Sequence, residues 1–255
     1  MQTAPFSRLT VASYNVHRCI GRDGRRDVGR VARVIESLHA DVVALQEVES
    51  ERARGNDTIQ MDVLSHLVGL HAISSPTIEH ENGHVGNALL TRLPIRAVRS
   101  LDLTFHRREP RGAIDADLDA SGTKVRVIAT HLGLLPRERR HQVQRILEVV
   151  SADDEGLTVL LGDINEWLVH GRPLRWLHAR FGHCHGRRSY PAWFPVFALD
   201  RIWVHPKASL LQFEVRDTPE TRMASDHLPV RAELSLAEPE SGVRHPARVG
   251  ECEIV

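Results

Sequence analysis

The sequence predicts an α/β chain in which two packed β-sheets lie inside and helices lie outside. Three observations carry this. Strand-like segments outnumber helical ones, the helical segments fall between strands, and no stretch long enough to be a linker divides the chain. No internal repeat appears. With 255 residues, 42% of them hydrophobic, the chain has ample apolar material for a core. The expected organisation is one domain over residues 1–236 and a mobile polar tail over 237–255, which contains two prolines.

The elements follow from periodicity. Residues 1–7 read as a loose start. Leu9 to Asn15 alternates and ends on a polar group, which predicts a strand. CIGRDGRRD reads as a loop, with Gly21, Asp23 and Gly24 as turn signals. Asp27 is placed to cap a helix whose apolar positions Val28, Val31, Ala32, Ile35 and Leu38 share one face. Asp41 to Gln46 reads as a short buried strand ending at Glu47. Residues 49–57 read as a charged loop and Thr58 to Val68 as a second helix. His71 to Ser75 is expected as a strand, Ile78 to Gly86 as a polar loop, and Asn87 to Thr91 as a strand stopped by Pro94. Ile95 to Leu103 and Gly112 to Leu118 are expected as adjacent antiparallel strands, and Lys124 to His131 as a strand.

Pro136 suits the first turn of the longest helix, to about Ser151, with Val143, Ile146, Leu147 and Val150 on one face. Leu157 to Leu161 is too short and too apolar for anything but a buried strand, after which Gly162 is expected to turn the chain. Pro173 to Arg180 reads as a short helix, residues 182–197 as irregular, and Ala198 to Val204, Leu210 to Val215 and His227 to Leu236 as strands.

Composition sets bounds. Lys and Arg number 33, as do Asp and Glu, so formal net charge is zero, whereas dedicated duplex binders carry a basic excess. Three cysteines, Cys19, Cys184 and Cys252, suggest no disulfide framework and suit a reducing compartment. No apolar run reaches the ~20 residues of a membrane span, and the N-terminus has no signal-peptide core, so a soluble cytoplasmic protein without an obligate protein partner is expected.

Polar groups recur where strands end: Asn15, Glu47, His131, Asp163 with Asn165, Asp200, and Ser225-Asp226-His227. In α/β sheets, ligands gather outside the strand ends. Glu47 and Asp226 offer hard oxygen ligands that suit magnesium or manganese, and an amide such as Asn15 completes such a site without adding charge. Asp163 is suited to orient or deprotonate a water, and Asn165 to donate to a phosphate. Asp200 is suited to hold His227 in one tautomer. His131 is suited either to protonate a leaving oxygen or to bind the phosphate.

SYNVH at 13–17, LQEV at 45–48, GNALLTRLP at 86–94, RGAIDADL at 111–118, ATHLG at 129–133, LGDIN at 161–165, LDRIWV at 199–204 and SDHLPV at 225–230 occur in that order. Together they resemble the endonuclease/exonuclease/phosphatase superfamily, the DNase I-like metal-dependent phosphoesterases. The YNVH start, the loop at 21–24 and LGLLPRERRHQV are similar to a subgroup of small bacterial hydrolases. The resemblance implies a four-layer α-β-β-α sandwich of two mainly antiparallel sheets and hydrolysis by in-line attack of water with a divalent metal. It implies Asn15, Glu47 and Asp226 as metal-site residues, and Asp163, Asn165, His131, Asp200 and His227 as the catalytic set. Arg111 and Asn87 are implied as phosphate-site residues. His17 stands two after Asn15, where some nucleases carry Asp.

The expected activity is therefore hydrolysis of a phosphodiester, small or lipid, with Mg2+ or Mn2+. The alternatives are a nuclease acting on DNA or RNA and an inactive binding module on the same fold. His183-Cys184-His185 lacks a second ligand pair at zinc spacing. The Arg137–Arg140 run reads as a solvated helix start, and Trp193, Phe194 and Phe197 as a loop packed on its own domain.

Overall fold

The computed structural model describes residues 7–53, 56–80, 83–150, 156–184 and 186–236. The tail expected over 237–255 lies outside the described residues. The elements are β1 (Arg8–Asn15), α1 (Val28–Ser37), β2 (Val42–Ala53), β3 (Asn56–Ile59), α2 (Gln60–Val68), β4 (His71–His80), β5 (Gly83–Thr91), β6 (Ile95–Asp102), β7 (Gly112–Ala120), β8 (Thr123–His131), α3 (Pro136–Val149), β9 (Leu157–Asp163), α4 (Arg172–Phe181), β10 (Asp200–His205), β11 (Leu210–Val215), α5 (Pro219–Ala224) and β12 (Val230–Ser235).

The strands form two sheets. One runs β11-β12-β1-β2-β5-β4, with β3 paired to β2; the other runs β10-β9-β8-β7-β6. β1–β2 and β8–β9 are parallel and the other pairs antiparallel. Alternation along each strand builds the layers. Val11, Leu89, Val127, Val159, Leu161 and Ile202 point between the sheets. Their neighbours point outward: Tyr14, Leu45 and Leu90 meet Val31 and Ile35 of α1 and Leu64 of α2. On the far side Ile128, Leu160 and Trp203 meet Val143 and Ile146 of α3 and Leu177 of α4. Strands buried on both faces read as continuous apolar runs, which is why Leu157 to Leu161 shows no alternation.

The four-layer sandwich agrees with the expected fold, and Asp27 caps α1 by accepting from Arg30 N at 2.8 Å. Several elements differ from expectation. β2 does not stop at Glu47: the register slips between Leu45 and Val48 and the strand continues to Ala53. The polar stretch Ile78 to Gly86 is not a loop: it gives the end of β4, an edge strand that needs no apolar alternation, and the start of β5, which lies between β2 and β4. α5 was unforeseen. Gly162 does not turn the chain; it lies inside β9 at φ +147, opposite Arg201, and a Cβ there would sit 1.9 Å from Thr130 O.

The arginine run at 137–140 is also corrected. Arg139 is buried, its Nε 3.2 Å from Glu166 Oε2 and its Nη2 3.3 Å from Glu166 Oε1. Glu166 Oε1 also accepts from Leu168 N at 3.0 Å, so the pair fixes the turn carrying Trp167. Removing one member of a buried pair strands the other charge. Arg139→Met is expected to lower unfolding free energy by about 3–5 kcal/mol, read from urea midpoints. A further Glu166→Leu change should recover much of that loss; an unchanged midpoint in the single variant would contradict the buried pair.

Candidate active site

Adjacent strands deliver the candidate residues. His131, Asp163 and Asp200 end β8, end β9 and begin β10, and the register pairs His131 with Asp163 and Asp163 with Asp200. The other sheet supplies Asn15 at the end of β1, Glu47 at the β2 bulge, and Asp226 and His227 just before β12. The bulge sets Glu47 at φ +57, a left-handed conformation that side chains other than glycine adopt at a cost and that re-aims its carboxylate.

Two side chains, Asn15 and His227, reach across between the sheets. Asn15 Nδ2 donates to Asp163 Oδ2 at 3.2 Å and to Glu47 Oε1 at 3.1 Å. His227 Nδ1 lies 2.9 Å from Asp200 Oδ2, and its Nε2 lies 3.7 Å from Asp163 Oδ2. Asn165, at φ +51, turns back so that its N–H donates to Asp163 Oδ1 at 2.9 Å, while its Nδ2 lies 2.9 Å from Leu132 O and 3.0 Å from His131 Nε2. Glu47, Asn87, Arg111, His131, Asp163, Asn165, Asp226 and His227 line one cavity of about 320 Å³. Asn15 and Asp200 are buried behind this lining.

The two histidines are held in opposite states. Burial pulls the His227 imidazole down, but the Asp200 and Asp163 carboxylates outweigh it and hold the ring up at about 10. Burial, aided by Arg111 and by His227, pushes His131 down to about 3 against the pull of Asp163. The hydrogen bonds agree: Arg111 Nη1, which can only donate, lies 3.1 Å from His131 Nδ1, so that nitrogen carries no proton. Asp163 is pushed up by its own burial, with Asp200 adding to the shift and His227, His131 and the Asn165 N–H opposing it.

A histidine depressed in the fold stabilises at high pH, and that contribution is lost as pH falls from 6.5 toward 3. His227, held up, contributes in full below 6.5 and loses its contribution only as pH rises toward 10, so of the two histidines only His131 changes on the acid side. From pH 7 to pH 5 the wild type is expected to lose about 1–2 kcal/mol more stability than His131→Gln, read from urea midpoints. Parallel losses would show that His131 takes up its proton in the fold.

Among the described residues, Glu47, Asp163 and Asp226 make no ion pair with any Lys or Arg, although all three line one cavity. Asn15 Oδ1 accepts from His17 N at 3.1 Å and keeps a second lone pair. This oxygen-rich set, short of counter-charge, fits magnesium or manganese. Asp163, Asp200 and His227 lie closer together, with ligand atoms within 4.8 Å of one another. A cation held there would have to displace the proton of His227 and its bond to Asp200.

Two neighbours had no signal in the sequence. Ser189 Oγ donates to Asp200 Oδ2 at 2.6 Å, and the Tyr190 ring packs on His227 with centroids 4.7 Å apart. Both sit in the stretch read as irregular, so only the three-dimensional arrangement reveals them. Arg111 and Asn87 do reach the cavity, Asn87 donating to Gly112 O at 2.9 Å and Arg111 pairing with Glu109 at 2.8 Å. His183 and Cys184 lie on the outer side of the second sheet, away from this cavity; His185 lies outside the described residues.

A family model described as the Endonuclease/Exonuclease/phosphatase family matches residues 12–227. The chain is 30% identical over 252 residues to the Escherichia coli protein "Uncharacterized protein YbhP", covering 92% of this chain and 99% of that one. Among solved structures, an endonuclease/exonuclease/phosphatase from Beutenbergia cavernae superposes with TM-score 0.73 at 23% identity, over 90% of this chain and 72% of that one. A mannosyl-6-phosphatase from Bacteroides thetaiotaomicron superposes with TM-score 0.68 at 17% identity, over 89% and 99%. These last two likenesses speak for the fold.

Proposed function

The chain belongs to the endonuclease/exonuclease/phosphatase family, and from that premise we propose that it hydrolyses a phosphodiester, on a small molecule or a lipid head group, by in-line attack of water with Mg2+ or Mn2+. The observation that carries the reading is the joining of the two sheets at one point: Asn15 bridges Glu47 and Asp163, and His227 bridges Asp200 and Asp163. Metal-side and proton-handling groups therefore share one cavity.

Glu47, Asn15 and Asp226 would hold the metal, which when bound neutralises charge developing on the phosphoryl group. Asp163 accepts the proton of the attacking water. Asn165, Asn87 and Arg111 donate to phosphate oxygens, joined by neutral His131. Protonated His227 gives its Nε2 proton to the leaving oxygen, with Asp200 fixing Nδ1–H. The 3.7 Å from His227 Nε2 to Asp163 Oδ2 then offers a short path for the proton to return between turnovers.

Among the described residues two arginines, Arg18 and Arg111, line the cavity, which suits a singly charged diester better than a dianionic monoester. Exposed Leu134 and Trp167 at its wall, with zero net charge overall, favour a small or lipid substrate over a long polyanion.

The test is hydrolysis of an aryl phosphodiester, an aryl phosphomonoester and an oligonucleotide with magnesium, manganese or EDTA. Turnover of the diester is expected, and EDTA should stop it. Glu47→Gln is expected to raise the metal concentration for half-maximal turnover by about tenfold or more. Turnover indifferent to EDTA would remove the metal from the reading. Absence of turnover on all three substrates would leave a binding module.

A further inference from the structure

A second cavity, of about 470 Å³, opens on the outer side of the β10 sheet, beside α4. Its floor is Arg201. Successive residues of β10 face opposite ways: Asp200 turns to the catalytic cavity, and Arg201 turns outward with Trp203. Arg201 is only 5% exposed, yet no carboxylate pairs with it among the described residues, and its Nε has no hydrogen-bond partner. Its side-chain contact is the buried thiol of Cys184, which carries no charge because burial pushes it up. The acids nearby are taken: Glu166 is held by Arg139, and Asp200 by His227 and Ser189. A buried guanidinium left this way is costly unless something anionic joins it.

The rest of the cavity supplies what an anion needs. Gly186 lies against the guanidinium, where a Cβ would fall 2.3 Å from Arg201 Nη1. Arg175, Arg188 and His170 stand exposed around the mouth, and Glu166, already paired, is the sole carboxylate residue in the lining. Trp167 and Phe197 form an apolar wall, with ring centroids 4.6 Å apart, and Trp167 also lines the catalytic cavity.

We infer that this cavity is a second binding site, for a phosphate-class oxyanion seated on Arg201 and drawn in by Arg175 and Arg188. Arginine's planar fork matches such an oxyanion with paired hydrogen bonds. The oxyanion is either free phosphate or a phosphate group borne on a larger molecule that lies along Trp167 and Phe197. The site does not depend on the catalytic reading, since it is defined by binding alone.

The test is calorimetric titration of inorganic phosphate into the full chain in EDTA. Wild type should bind, and Arg175→Ala/Arg188→Ala should bind about tenfold to a hundredfold more weakly, the loss of one or two charge-assisted contacts. Arg201→Lys should weaken binding as well, because it keeps the charge and loses the fork. Arg111→Ala removes a phosphate donor of the catalytic cavity, and in that background the loss caused by Arg175→Ala/Arg188→Ala should persist. The exposed double variant keeps the test independent of whether buried Arg201 tolerates change. A parallel titration with 1,6-hexanediol bisphosphate separates the sources: tighter binding that Arg111→Ala and Arg175→Ala/Arg188→Ala each abolish marks one molecule spanning both cavities, and affinity equal to that of phosphate marks a free oxyanion. No binding by wild type, or binding lost in Arg111→Ala and kept in the double variant, overturns the site.

Discussion

Asp163→Asn is expected to lower kcat on a phosphodiester by about 10²–10⁴-fold, the range for losing a positioned proton acceptor. The loss should fall on kcat rather than KM, because Asn87, Arg111 and Asn165 still line the cavity. An unfolded variant would mimic this result, so the size of the structural cost matters. Asp163 Oδ1 keeps its bond from Asn165 N; the contact of Oδ2 with Asn15 Nδ2 at 3.2 Å turns into a donor facing a donor, and His227 Nε2 at 3.7 Å and His131 Nε2 at 3.5 Å lose a carboxylate neighbour. One such hydrogen bond is worth about 1 kcal/mol net, against a typical unfolding free energy of about 5–15 kcal/mol. The variant should therefore fold, with the wild-type circular dichroism spectrum, and fail at chemistry. Activity within about tenfold of wild type would remove Asp163 from the proton path and leave it a buried spacer between the sheets.

That Asp163 was worth singling out was legible in the sequence, and the reason is physical. A strand buried on both faces is an apolar run, so a carboxylate and an amide at its end stand out. The same contrast marked Asn15, His131, Asp200 and His227. Glu47 was legible as a residue but not as a conformation: a bulge depends on the register with β5, which one strand does not encode. Ser189 and Tyr190 left no local trace, because their positions are set by contacts with Asp200 and His227 far along the chain. Arg139 was misread although a signal existed. It precedes Val143 by four residues and Ile146 by seven, the spacing of one helix face, and the charge of its neighbours masked it. The outer end of β4 was hidden for the opposite reason, since an edge strand shows no apolar pattern there.

Asp200→Asn and His227→Gln are each expected to reduce kcat by about 10²–10⁴-fold, and the double variant by only a few-fold more than the worse single. The argument rests on what Asp200 touches. It is fully buried, and among the described residues its Oδ2 takes hydrogen bonds from Ser189 Oγ at 2.6 Å and His227 Nδ1 at 2.9 Å. It reaches substrate solely through the imidazole, so removing both adds little to removing either. The pH profile separates this from mere structural damage. His227 is held up at about 10 largely by Asp200, so a step needing its proton persists in the wild type until pH rises to that value. An asparagine supplies no charge, and the imidazole then titrates lower, drawing the alkaline fall in activity toward neutral pH. His227→Gln has no imidazole proton to lose, and its residual activity should show no such limb. Single effects that multiply in the double variant, or an alkaline limb unmoved by Asp200→Asn, would mean that the two residues act separately and that the leaving oxygen takes its proton from another group.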